Sequence, residues 1–443
     1  MSNSDTIAAI ATGPGSGGIG VVRVSGARVR KIAEHILGGL PKTRMATTRT
    51  FKNVAGVAID AGIAIFFEAP NSYTGEDVLE LQGHGGPAVL RLLLRSCIDS
   101  GARLAEPGEF TQRAYLNDKM DLVQAESVAD LIGASSAAAV LSAHRSLSGE
   151  FSSRTEAIKD ELIEIRVFVE AAIDFSDEEI DFLEDRLVMD RIKSICQKLK
   201  TLRGLASQGN LLREGVKVVL AGEPNVGKST LMNLLSEEEA SIVTEHAGTT
   251  RDSIQRHVVI GGVPMLMIDT AGLRASEDPV EAIGIARALT NVGDADVVLE
   301  MRAAGMEARS PALSLDVDEA KKIIVVNKID LVGELGRIGA KDGIPMVCLS
   351  AKTGDGVEML KSALLEKVGV RRGDEAPFMA RERHLSALDR AAEHVSLALS
   401  NIDVIEFCAE ELRMAQNAVS EITGEFVADD LLGEIFSSFC VGK

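Results

Sequence analysis

Apolar positions recur along this chain with two different periods, and the change of period divides it. Up to about residue 118, short apolar or alternating runs are separated by glycine turns. Residues 6–10, 20–24, 62–67 and 78–81 predict strands, while 31–37 and 88–94 predict helices, giving an α+β domain. From 119 to about 210 the period lengthens. Phe151, Ile158, Leu162, Ile165, Val169 and Ala172 fall at three-, four- and seven-residue steps, one apolar stripe on a long helix. Past residue 370 the same period returns in two stripes. One is Leu385, Leu388, Ala392, Val395 and Leu399; the other is Val404, Cys408, Leu412, Ala415, Val419 and Ile422. Between them, continuous apolar runs at 216–221, 265–268, 297–299, 323–326 and 346–349 read as buried strands of a parallel α/β sheet. Helical blocks on both sides of a self-contained α/β unit predict its insertion into a discontinuous helical domain, since domain termini tend to lie close together.

Gly222-Glu-Pro-Asn-Val-Gly-Lys228-Ser229 joins the first of these buried strands to a helix predicted from Thr230. Its glycines let main-chain N–H groups turn inward around an oligophosphate, and the helix N-terminus adds partial positive charge. Lys228 then reaches the β- and γ-phosphates, and the Ser229 hydroxyl is a Mg²⁺ ligand. Four further pieces follow in order. Thr249 and Thr250, in Gly248-Thr-Thr-Arg-Asp252, offer a switch threonine to the metal. Asp269, Thr270, Ala271 and Gly272 end a strand, with Asp269 placed to hold Mg²⁺ through water and the Gly272 amide to face the γ-phosphate. Asn327, Lys328 and Asp330 end another; the Asp330 carboxylate suits the two N–H donors of guanine and meets adenine's edge poorly. Ser350, Ala351 and Lys352 end a third and offer a backbone N–H to the guanine oxygen. Ligands of open α/β sheets bind at such carboxyl ends. Residues 211–369 therefore read as a Ras-like P-loop guanine-nucleotide domain, with Asn225, Val226, Gly227, Lys228, Ser229 and Thr230 on the phosphates.

Composition narrows the setting. The 443 residues allow several domains; 46% hydrophobic content supports real cores, and 3% aromatic with no Trp makes them aliphatic. Net charge is −19, from 47 basic and 66 acidic side chains, which disfavours a non-specific nucleic-acid coat. Any nucleic-acid contact is then local, or shared with a more basic partner. Five cysteines without metal spacing read as reduced thiols. The N-terminus has no signal-peptide pattern and no run approaches a membrane span, so a soluble cytoplasmic protein is expected.

Hydrolysis needs a positioned water and neutralised transition-state charge. The place of the water-orienting glutamine in Ras-type switches is taken by Leu273, and the carboxylates Glu277, Asp278 and Glu281 lie just beyond. Arg251, Arg256 and Arg274 are candidate cations, each equally readable as a surface charge. A monovalent cation is another source of charge, with the Asn225 side-chain oxygen a candidate ligand. The glycine-rich run 13–20 lacks a Lys-Ser ending and reads as a tight connection. Asp177-Glu-Glu-Ile-Asp181, with no His nearby, reads as a solvated helix end.

Seven runs carry a more specific likeness: Gly17-Gly-Ile-Gly-Val-Val-Arg-Val-Ser-Gly26, Tyr73-Thr-Gly-Glu-Asp-Val-Leu-Glu-Leu-Gln-Gly-His-Gly-Gly86, Pro107-Gly-Glu-Phe-Thr-Gln-Arg-Ala114, Leu116-Asn-Asp-Lys119, Asp177-Glu-Glu-Ile-Asp-Phe182, Ile422-Thr-Gly-Glu-Phe426 and Phe439-Cys-Val-Gly-Lys443. Through them the chain resembles, nearly end to end, the bacterial MnmE (TrmE) family of tRNA-modification GTPases, with Val441 where the family usually has Ile. The resemblance implies a folate-binding, dimerising domain at 1–118, helical parts at 119–210 and 370–443, and a G domain at 211–369. It implies a tetrahydrofolate one-carbon derivative (5-formyl or 5,10-methylene) at Arg23, Glu80, Lys119 and Lys443. It implies Glu281 as the water-orienting carboxylate, acting with Lys228 and Thr250 beside Mg²⁺. K⁺ would be held by Asn225 and Thr249 with backbone oxygens of Thr244 and His246. It further implies a homodimer that joins the flavoprotein MnmG (GidA) in a heterotetramer or larger complex. Together they would add an aminomethyl or carboxymethylaminomethyl group at C5 of the wobble uridine of certain tRNAs. His246 and Glu300-Met-Arg302 depart from the family pattern. Cys440 reads either as a nucleophile or as a buried thiol near the folate pocket. The rival reading, a regulatory or ribosome-assembly GTPase without one-carbon chemistry, predicts a basic RNA-binding appendage.

Overall fold

The computed structural model describes residues 5–174, 186–238, 255–269, 293–305, 318–370, 376–425 and 429–442. Contacts gather the chain into two compact units. One comprises Met1–Ala129, Leu147–Arg186 and Leu397–Lys443; the other comprises Asp130–Ser146 and Leu187–Ser396.

The first unit is built on a six-stranded sheet of β1 (Ile7–Ile10), β2 (Gly17–Ser25), β3 (Thr47–Lys52), β4 (Ala58–Phe67), β5 (Val78–Gly85) and β6 (Arg103–Leu104), in the order β3-β4-β5-β2-β1-β6. Alternation on β2 and β5 sends Val22, Val24, Leu79 and Leu81 to one face, where they bury with Phe51, Phe66 and the helices Val29–Leu37 and Pro87–Asp99. Each such aliphatic side chain contributes about 1.5–3 kcal/mol on burial. Arg23 and Glu80 point to the other face, toward Ile7, Ala9, Phe110 and Tyr73. The expected connection at 13–20 is half strand: β2 already begins at Gly17, paired with Gly85. β3 escaped the pattern because, as an edge strand, it buries only Phe51.

Helices Glu150–Asp174 and Ile405–Thr423 pack antiparallel in this unit along the two anticipated stripes. Lys159 Nζ lies 2.7 Å from Glu425 and also pairs with Glu156, which accepts from Thr423 Oγ1 at 3.1 Å. Val404, expected on the stripe, is exposed and precedes the helix. A partly buried charge network, with Arg113 and Glu109 inside and Asp5 and Arg103 at its exposed rim, closes the N-terminal strand. Arg113 reaches Asp5 and Glu109 at 2.8 Å and Glu76 at 3.1 Å, and Arg103 also grips Asp5 and Glu109.

The second unit holds a seven-stranded sheet: β7 (Val216–Gly222), β8 (Gln255–Ile260), β9 (Val263–Asp269), β10 (Val297–Ala303), β11 (Lys322–Asn327), β12 (Arg337–Lys341) and β13 (Ile344–Cys348), ordered β12-β13-β11-β10-β7-β9-β8. The five inner strands are parallel and both edges antiparallel. Helices Lys228–Glu238 and Val357–Lys367 share its aliphatic core, which matches continuous apolar runs buried on both faces. β8 and β12 were not anticipated; every residue of β12 is exposed, so no apolar run marks it. At β10, Glu300 pairs with Arg302 in place of an apolar strand end.

Helix Arg186–Glu214 leads straight into β7, and the chain after the sheet returns against it. A Cβ at Gly209 would run into the Phe378 carbonyl, so only glycine permits the approach. Asp130 clasps both limbs, at 3.0 Å from Arg213 and 3.0 Å from Arg381. The Asp177–Asp181 run lies outside the described residues.

Candidate functional site

The carboxyl ends of β7, β9, β11 and β13 bring the described nucleotide motifs together. Gly227 has φ +101, in the left-handed region, and a side chain there would meet the Asn327 amide. Asn327, 2% exposed, donates Nδ2–H to the Val226 carbonyl at 2.8 Å and accepts from the Ala351 amide at 2.9 Å. One buried side chain thus locks the phosphate loop to the last motif. Asp330 accepts a hydrogen bond from Ser350 Oγ at 2.7 Å, which aims its carboxylate; its edge is exposed. Lys328 takes a left-handed turn (φ 68), and Lys352 is exposed.

Lys228 is buried, donating to the Gly222 carbonyl at 2.8 Å and the Glu223 carbonyl at 3.1 Å. Burial pushes its pKa down against the pull of Asp269. Ser229 Oγ donates to Asp269 Oδ2 at 3.1 Å, while Asp269 Oδ1 is buried and has no hydrogen-bond partner among the described residues. A hydroxyl beside an unsatisfied carboxylate oxygen is a hard-oxygen donor set and fits Mg²⁺. Asn225 sits at φ 63 with its side chain exposed, and Thr230 is exposed in the first helical turn. Thr244, His246, Thr249, Thr250, Thr270, Ala271, Gly272 and Glu281 lie outside the described residues, as do Arg251, Leu273, Arg274, Glu277 and Asp278. Arg256 is exposed on β8.

In the first unit, register sets Arg23 on β2 opposite Glu80 on β5. Arg23 Nε donates to Glu80 Oε1 at 3.0 Å, and both side chains are mostly buried. The guanidinium lies 5.2 Å from the Tyr73 ring centroid and 5.7 Å from that of Phe110. Burial raises the Tyr73 pKa, and its hydroxyl contacts Thr111 at 2.9 Å. A planar cation beside two rings and a carboxylate suits a planar heterocycle with N–H donors. Tyr73 and Phe110 stand beside this pair, and no local sequence pattern marks either as its neighbour. Lys119 Nζ donates to the Pro70 carbonyl at 3.0 Å from an exposed position, and Lys443 is outside the described residues. Cys440 is exposed, which removes the buried-thiol reading; its carbonyl accepts from the Gly108 amide, and Val441 pairs with Pro107.

With this geometry in hand, likeness to known proteins can be placed on it. The GTP-binding protein TrmE N-terminus family matches residues 6–119, and the MnmE helical domain family matches 122–440. The chain is 53% identical over 442 residues to the tRNA modification GTPase MnmE of Chromobacterium violaceum, covering 99% of this chain and 98% of that one. It is 54% identical over 441 residues to the protein so named in Thiobacillus denitrificans, covering 99% and 98%. With the one in Haemophilus influenzae the identity is 51% over 450 residues, covering 99% and 100%.

Proposed function

This chain belongs to the MnmE family of tRNA modification GTPases, and from that premise we propose a specific division of labour within it. The second unit binds GTP through Lys228, Ser229, Asn327, Asp330 and Ala351. Mg²⁺, held by Ser229 and Thr250 with Asp269 behind, supplies charge to the β- and γ-phosphate oxygens when bound. Thr249, Thr270, Ala271, Gly272, Lys328, Ser350 and Lys352 complete the nucleotide contacts. Asn225, Thr244, His246 and Thr249 hold K⁺ in place of an inserted arginine, and Glu281 orients the attacking water.

The first unit binds a tetrahydrofolate one-carbon derivative on Arg23, Glu80, Lys119 and Lys443 and joins two copies into a homodimer. Together with the flavoprotein MnmG, the dimer uses that one-carbon unit to build an aminomethyl or carboxymethylaminomethyl group on the wobble uridine of tRNA. The single observation that carries this reading is the mostly buried Arg23–Glu80 pair beside Tyr73 and Phe110, a preformed polar seat in the unit that does not hold the described nucleotide motifs. Mass spectrometry of tRNA nucleosides from a strain lacking this chain tests it. The C5-modified wobble uridine is expected to disappear; its persistence refutes the reading. Turnover of GTP is expected to be faster in KCl than in NaCl, and equal rates remove the K⁺ assignment.

A further inference from the structure

In a chain of net charge −19, residues 35–59 contain no Asp or Glu at all, yet hold Lys42, Arg44, Arg49 and Lys52. All four are exposed. They lie on and just before β3, the outermost strand of the first unit's sheet, which pairs with β4 alone. The carboxylates on and just after β4, and Asp77 just ahead of β5, are already hydrogen-bonded. Glu68 and Asp77 bind Arg30 at 2.7 Å each, and Asp60 on β4 is held by His84 and main-chain amides. Arg44 donates to the Asn71 carbonyl and lies over Phe67. Among the described residues Lys42, Arg49 and Lys52 make no ion pair. Thr47, Thr48 and Thr50 interleave with them, adding hydroxyls along the same edge.

Charges on an edge strand also deter strand addition. Four cations over a stretch free of acids, in a strongly acidic protein, leave a local positive field that Asp60, across from Phe51, offsets only in part. Cations, hydroxyls and open main-chain amides are what phosphate oxygens of a polynucleotide take. We propose that the β3 edge, from Lys42 to Lys52, is a docking strip for the phosphate backbone of tRNA. The strip rests on the reading of tRNA as substrate and assigns where on this chain it lands.

The test is anisotropy of full-length protein with a tRNA transcript bearing unmodified uridine at the wobble position, titrated at several salt concentrations. The K42Q/R49Q/K52Q protein is expected to bind about tenfold or more weakly at low salt. Its slope of log affinity against log salt should fall by about 2, the loss of three phosphate contacts. GTP turnover, housed in the other unit, should stay within about twofold, and an unchanged circular-dichroism spectrum and thermal melt report folding. Unchanged affinity and slope, or no binding by the unaltered protein, overturns the strip. So does normal tRNA binding with an altered sedimentation coefficient, which would give the edge to a second protein chain. If the strip fails while the wobble modification still depends on this chain, the broader reading stands; if that dependence is absent, the broader reading fails on its own.

Discussion

The nucleotide loop and the Arg23 seat both keep a cation ready below the surface, and they do it by opposite means. Lys228 is held by two neutral carbonyls within six residues of it, Gly222 and Glu223. Arg23 is held by a carboxylate 57 residues away. Neutral oxygens satisfy hydrogen bonds without cancelling charge, so the buried ammonium carries a desolvation cost that Asp269 offsets only in part, and its pKa is held down. A polyanion arriving there relieves that cost. Glu80 has already neutralised Arg23, so a ligand there gains through shape, stacking and shared hydrogen bonds more than through charge. On the proposed function, the first arrangement suits a strongly charged ligand and the second a ligand chosen by shape.

The largest expected effect breaks the first half of this contrast. Lys228→Ala should lower GTP turnover by about 10²–10³-fold, the usual cost of removing one stabiliser of developing charge. Single-turnover kinetics measures it, and a loss under tenfold would mean that the ammonium is dispensable. Next, Arg23→Ala should weaken 5-formyltetrahydrofolate binding by about tenfold or more in calorimetry while GTP turnover stays within about twofold. It strands the mostly buried Glu80, at about 1–3 kcal/mol of stability, so a Gln variant retaining a donor should recover part of the loss. Equal damage to both ligands would show that the two sites are not separable.

The smallest effect sharpens the contrast through acid. Burial works to raise the Glu109 pKa, but Arg103, the Glu106 amide and Arg113 outweigh it and hold the carboxyl below 4.5. Asp5, likewise desolvated, is held below 3.8 by Arg103 and Arg113. Depressed carboxylates contribute stability that is present above their unfolded values and lost as pH falls through the folded ones. Thermal melts should therefore show a transition that softens below about pH 4.5. R113Q should flatten that dependence; an acid limb unchanged in R113Q would clear this network of the effect.

How much of this was legible beforehand depended on sequence distance. The nucleotide motifs were readable because each is a few residues long at the end of an apolar run, and the described ones converge as that pattern required. Asn327 joining Val226 to Ala351 was not readable, since nothing local marks a side chain that bonds two remote loops. Arg23 and Lys119 carry no pattern of their own and were reached only through resemblance. Tyr73 and Phe110 come beside Arg23 only by sheet register and the helix Glu109–Leu116. Edge strands β3, β8 and β12 escaped because burial, which writes the apolar pattern, is weakest at a sheet's rim.

The contact between Gly209 and the Phe378 carbonyl has a consequence for ancestry. Where the outgoing helix and the returning segment touch, the chain enters and leaves the seven-stranded sheet at one place within the second unit. Doubling a loop closed in this way costs only about 0.6 kcal/mol more entropy, so the closing contact barely registers the length of chain beyond it. A lineage could acquire, exchange or discard such a cassette whole, and a bulkier residue at Gly209 would force that contact open.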